Sequence, residues 1–141
     1  MIILVKLFVV CFLSVAAAFH FYWGLGGRRG WQVAIPQRAD NSPLFEPSPG
    51  ATLVVGILLA GMAAAVTVFS WRVVTSMPLN YQRSGIAVLG LIFLARAFVP
   101  HPSVGFFKSI RNTQFSRYDT LFYSPTCLLA GLGLILIAWI G

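Results

Sequence analysis

Carboxylate side chains are scarce in this sequence: Asp40, Glu46 and Asp119 are the only acids, and His20 and His101 the only histidines, in 141 residues. That supply cannot furnish a di-iron carboxylate centre, and no His, Cys, Asp or Glu spacing suits tetrahedral zinc. Cysteine is nearly missing too. Cys11 and Cys127 both lie inside apolar runs, with no CxxC pair and no loop cysteine, which excludes a disulfide framework. Charge of either sign amounts to 9% of residues, against roughly 25% in a soluble domain whose surface must be wetted. Nothing in the residues asks for a cofactor or a metal.

What is present is hydrocarbon. Hydrophobic residues make up 58% of the chain, and the mean hydropathy is +0.85. A water-soluble globule of this size could not be covered by so few polar groups, so the excess apolar surface is expected to face lipid. The abundance of Leu, Ile, Val and Phe excludes disorder. The net charge of +7 does not imply nucleic acid, because the cations are scattered over loops and helix ends with no stripe to follow a phosphate backbone. Basic residues flanking apolar runs suit anionic headgroups instead.

Four apolar segments, at about 2–23, 51–74, 84–99 and 121–140, approach the ~20 residues needed to cross a bilayer. The expected fold is all-α: one integral membrane domain over 1–141, an antiparallel four-helix bundle. The first segment loosely fits a cleavable signal peptide, with Lys6 and small residues around Ala18. Its apolar run continues through Phe19, Phe21, Tyr22 and Trp23, which favours a retained helix. The first loop (24–50) holds Pro36, Pro43, Pro47 and Pro49 and reads as a strap. In the third loop (100–120), Phe106, Phe107 and Ile110 alternate with Lys108, Arg111 and Arg117, which predicts a short amphipathic helix in the headgroup plane. Gly56, Ala60 and Ala64, with Gly131 and Gly133, suit close helix contacts within the chain or in a homo-oligomer.

Four antiparallel spans place the first and third loops on one face. The ligand-binding candidates there are His20, Trp23, Arg96, Lys108, Asn112, Tyr118, Asp119, Tyr123 and Ser124, with Tyr22 and His101 nearby. Arg28, Arg29 and Arg111 are candidates for a phosphate or headgroup, helped in the first loop by the amides of a glycine-rich turn at 24–30. Each residue also has a plainer role. Arg96 either snorkels to the interface or turns inward to Asp119 or an anion. Asp119 suits an N-cap or a first-turn acid of the last helix, and the aromatic residues suit an interfacial belt. A Ser124/His20/Asp119 triad has no nucleophile elbow around the serine. No acid falls inside the four apolar segments, which argues against proton-coupled transport.

The His20-Phe-Tyr-Trp23 stretch, Gly26-Gly27, Trp31 and Pro36 resemble the opening of the domain of unknown function 3995 family of small bacterial multi-pass membrane proteins. The second half is more specific: Arg96, Val104-Gly-Phe-Phe-Lys108, Arg111-Asn-Thr113, Tyr118-Asp-Thr120 and Tyr123-Ser-Pro-Thr-Cys-Leu128. The chain departs from that pattern at Phe98-Val-Pro100-His-Pro102, where a Gly-Asp-like turn is expected, so an acid beside Arg96 at that point is missing. The resemblance implies a bacterial membrane protein and no particular activity.

Three functions compete on these residues. The first is binding of an amphipathic ligand, lipid headgroup or membrane partner subunit at the loop-one/loop-three face. The second is a membrane enzyme acting on a lipid or isoprenoid-like substrate, with His20 or Asp119 as base and Arg96 as anion clamp. The third, a pore, would need an oligomer. Lys and Arg are more numerous in loops one and three than at the other end, which puts that face in the cytoplasm by the positive-inside rule.

Overall fold

The computed structural model describes residues 1–140, and among them the fold is all-helical. Helix α1 spans Ile2–Gly24, α2 is a short turn of helix at Trp31–Ala34, α3 spans Pro49–Ser70 and α4 Leu79–Phe98. Helix α5 (Gln114–Tyr118) runs through a wide π-turn (Asp119–Tyr123) into α6 (Ser124–Ile140). Three of these helices, Ile2–Gly24, Pro49–Ser70 and the continuous Gln114–Ile140, are long and apolar enough to cross a membrane. At 1.5 Å per residue, the shortest of them covers ~33 Å, against a hydrocarbon core of ~30 Å.

Helix α4 is 20 residues long but carries a shorter apolar stretch. Arg83 and Arg96 bracket residues 84–95, which rise only ~18 Å. Its first turn is built from Leu79, Asn80, Tyr81 and Gln82. Gln82 is buried there and donates to Val74 O and Met77 O, closing the preceding turn on the helix.

Helix α1 packs along α3 and α4 along α6, while α1 meets α6 between the two pairs. Val9 and Leu13 of α1, Val66 of α3, Phe93 and Ala97 of α4 and Leu134 and Ile137 of α6 form the shared core. The outward faces are equally apolar, with Leu4, Leu7, Ile57, Leu58, Leu91, Ile92, Leu129 and Leu132 exposed. Helices that are greasy all round lack the polar stripe that water requires. Gly56 sits against Phe21 and His20, Gly131 against Gly90, and Gly133 against Val5 and Val9. Gly56, Gly131 and Gly133, among the small residues singled out in the sequence, thus serve contacts within the chain.

Both ends of the packing are tied by polar contacts. At one end Lys6 donates to Ser70 O (2.6 Å) and lies over the Trp71 ring. At the other, Asn112 donates to Ala39 O (3.2 Å) and the Phe115 amide to Gln37 Oε1 (3.1 Å). The first and third connections therefore meet.

The structure corrects two local expectations. No helix forms over 104–111: Gly105 takes a left-handed φ of +83°, and Phe106 N–H caps Ala97 O (2.8 Å), so the chain folds under the end of α4. The short helix lies further on, at Gln114–Tyr118, with Thr113 as its N-cap paired reciprocally with Ser116. The last long helix accordingly starts before Asp119, which lies inside it and is not its cap. Thr113-Gln-Phe-Ser116 is a capping box with Ser in the place usual for Glu or Gln, which hides it from a pattern search.

Candidate functional site

Asp119 is fully buried and is the hub of the polar end. Its Oδ1 accepts from Arg96 Nη2 at 2.8 Å. Its Oδ2 accepts from Lys108 Nζ at 2.9 Å, from the Gly105 amide at 3.0 Å and from Ser124 Oγ at 3.1 Å. Lys108 is 2% exposed and also donates to Gly105 O at 3.1 Å. The pairing ties α4, the third connection and α6 to one carboxylate. Arg96 thus takes the inward of its two readings, and the acid missing beside it in sequence is supplied by Asp119.

The π-turn explains how Asp119 and Ser124 reach each other. In a regular α-helix, residues five apart point ~140° away from one another. The turn widens just before Pro125, whose ring lacks an N–H and crowds the preceding turn, and Ser124 N–H closes it on Asp119 O. Both side chains then point to one side. Gly105 is required where it is: a Cβ there would stand 2.9 Å from Ala97 O.

Both Asp119 oxygens accept hydrogen bonds within the cluster. His20 lies elsewhere: its Nδ1 contacts Ala16 O (2.7 Å) along its own helix, and its ring meets Trp23 edge-on. The enzyme reading needs at least one of His20, Asp119 and Arg96 inside a pocket; Arg96 and Asp119 pair with each other, and His20 makes no hydrogen bond to either. Nor do three or more His, Cys, Asp or Glu side chains group anywhere among the described residues.

The open space lies elsewhere at the looped end, and none of the cluster's residues lines it. A cavity of about 740 Å³ is walled by Trp23 of α1, Arg28 just after it, Trp31 and Gln32 of α2, Asn41 and Glu46 of the first connection, and Gln114 of α5. It adjoins an apolar recess of about 290 Å³ that shares Trp23, Trp31, Ile35, Pro47 and Thr52 and continues along His20, Ala51 and Val55. Trp23 and Trp31 stand edge to face with centroids 5.8 Å apart, and the Trp23 indole N–H is fixed by Arg29 O (2.8 Å). The first connection holds its own shape. Arg38 donates to Pro43 O and Leu44 O, and the Ser42 hydroxyl and amide hold the Asp40 carboxyl below its usual pKa.

The remaining candidates separate. Arg29 rims a shallow groove with Val15, Phe19 and Tyr22 on the outer side of α1. Arg111 donates to Phe106 O and Asn112 to Ala39 O, so both tie loops together. Tyr118 and Tyr123 stack with Phe122 and Phe115. His101 accepts from the Ser103 amide within its own turn. The glycine-rich turn cannot present the amides of Gly26 and Gly27 to a phosphate, because they close α1 on Trp23 O and Tyr22 O. Sequence reading missed Gly105 as a partner of Asp119, and Trp31, Gln32 and Glu46 as cavity walls. Glu46 could have been found as one of only three acids, set in a loop that also holds three arginines.

A family model described as "Protein of unknown function (DUF3995)" matches residues 13–134. No curated protein and no solved structure matches the chain.

Proposed function

The chain belongs to this family of proteins of unknown function, and on that premise we propose that it crosses the membrane four times and binds an amphipathic ligand at its looped end. Helix α4 is the fourth span in this reading. It lies along α6, keeps Val88, Leu91 and Ile92 outward, and confines its arginines to its two ends, where Arg96 turns inward to pair with Asp119. The looped end faces the cytoplasm by its excess of Lys and Arg.

The single observation behind ligand binding is that a polar cavity and an apolar recess share a wall of Trp23 and Trp31. A headgroup fits the first, a hydrocarbon chain the second. The cavity is within the ~300–1,000 Å³ usual for small-molecule sites. In this account Arg96, Lys108, Asp119 and Ser124 support the site without touching the ligand. They clamp the third connection, and through Asn112 and Phe115 they hold the first connection over the cavity.

Lipid-resolved native mass spectrometry of the purified protein tests the reading. The wild type is expected to retain a bound phospholipid. The Arg28→Ala/Trp31→Ala double variant is expected to retain it at least about tenfold less, equivalent to ~1.4 kcal/mol of binding. Equal retention by the two would overturn it.

A further inference from the structure

The cavity's charges narrow the headgroup. Arg28 and Glu46 line the same space, and neither takes part in an ion pair among the described residues. An opposite pair of this kind is mismatched to a purely anionic headgroup, which would bring its charge against Glu46. It is equally mismatched to a purely cationic one, which would meet Arg28. A headgroup carrying a phosphate and an ammonium satisfies both. Arg28 offers its planar fork of donors to the phosphodiester, and Glu46 offers a carboxylate to the ammonium. Trp23 and Trp31 line the same space, and an indole face attracts a cation as it loses its water. The side-chain amide oxygens of Gln32 and Asn41 can accept further N–H bonds from a primary ammonium.

We propose that the occupant is a zwitterionic phospholipid, its phosphate on Arg28 and its ammonium between Glu46 and the two tryptophans. The inference rests on the amphipathic-ligand reading above and adds the class of headgroup.

The test uses the full chain in detergent with phosphatidylethanolamine and phosphatidylglycerol of identical acyl chains, competed against each other and read by native mass spectrometry. Wild type is expected to favour phosphatidylethanolamine by about tenfold. Glu46→Gln, close in size, is expected to bring the two lipids to near parity by raising phosphatidylglycerol binding. Arg28→Ala is expected to weaken both. If the wild type shows no preference, or Glu46→Gln leaves it unchanged, the zwitterion assignment is wrong, while the site survives provided Arg28→Ala still lowers binding. If Arg28→Ala alters the retention of neither lipid, the site itself is wrong.

Discussion

Asp119→Ala is expected to destabilise the folded chain by about 3–5 kcal/mol, the range found when one partner is removed from a buried ion pair. The substitution leaves Lys108, 2% exposed, and the inward guanidinium of Arg96 as two cations with no counter-charge. It also orphans the Gly105 amide and the Ser124 hydroxyl. Lys108→Met should cost clearly less, because it leaves Arg96 and Asp119 as a balanced pair with the stem volume retained. Thiol reactivity of Cys127, which is buried at 8% exposure in the core, reports unfolding once the exposed Cys11 is replaced by serine. A variant series in which Lys108→Met is as damaging as Asp119→Ala would show that Asp119 is not the hub.

The second large effect lies at the crossing of α4 and α6. A Cβ on Gly131 would stand 2.8 Å from Leu94 Cγ and 2.9 Å from Gly90 O, and one on Gly90 would stand 3.0 Å from Gly131 O. Backbone meets backbone here, so no side-chain rotation relieves the clash, and the helices must separate. Gly131→Val is therefore expected to cost about 3 kcal/mol, the upper part of the overpacking range. Gly61→Val is the matched control, since nothing lies within 4 Å of a Cβ at Gly61. It should be near neutral by the same Cys127 assay. If Gly131→Val were as stable as this control, α4 and α6 would not touch as described.

The sequence was most legible where one force dominates. Runs of unbroken hydrocarbon place α1, α3 and α6 to within a few residues at most termini, because little but a helix can satisfy the backbone away from water. It was least legible where polar residues join a helix for tertiary reasons. Tyr81, Gln82 and Arg83 look like a loop, but they lie in the opening turns of α4 because Gln82 is consumed by the preceding carbonyls. Gln114 to Thr120 look like an interfacial stretch, yet they begin the last long helix because Asp119 has a buried destination among Arg96, Lys108 and Gly105.

Lys108 shows why the site was only half visible. Its alternation with Phe106 and Phe107 gives the pattern of a surface helix, and no local rule could reveal that the chain turns at Gly105 to bury the ammonium. Four of the nominated residues, Arg96, Lys108, Asp119 and Ser124, do come together. The cavity walls Trp31, Gln32 and Glu46 were passed over because each is ordinary for a polar loop, and only the folding of that loop onto α3 and α5 brings them round one space.

Sidedness of the connections is the measurement on which the account turns. Single cysteines placed at Ala39, Thr75 and Ser109, all exposed, in a chain with Cys11 and Cys127 replaced, can be labelled with a membrane-impermeant maleimide in sealed, oriented vesicles. Positions 39 and 109 should react from one side and position 75 from the other, as four crossings require. Labelling of 75 and 109 from the same side, with 39 opposite, would mean that α4 does not cross and that no shared face exists.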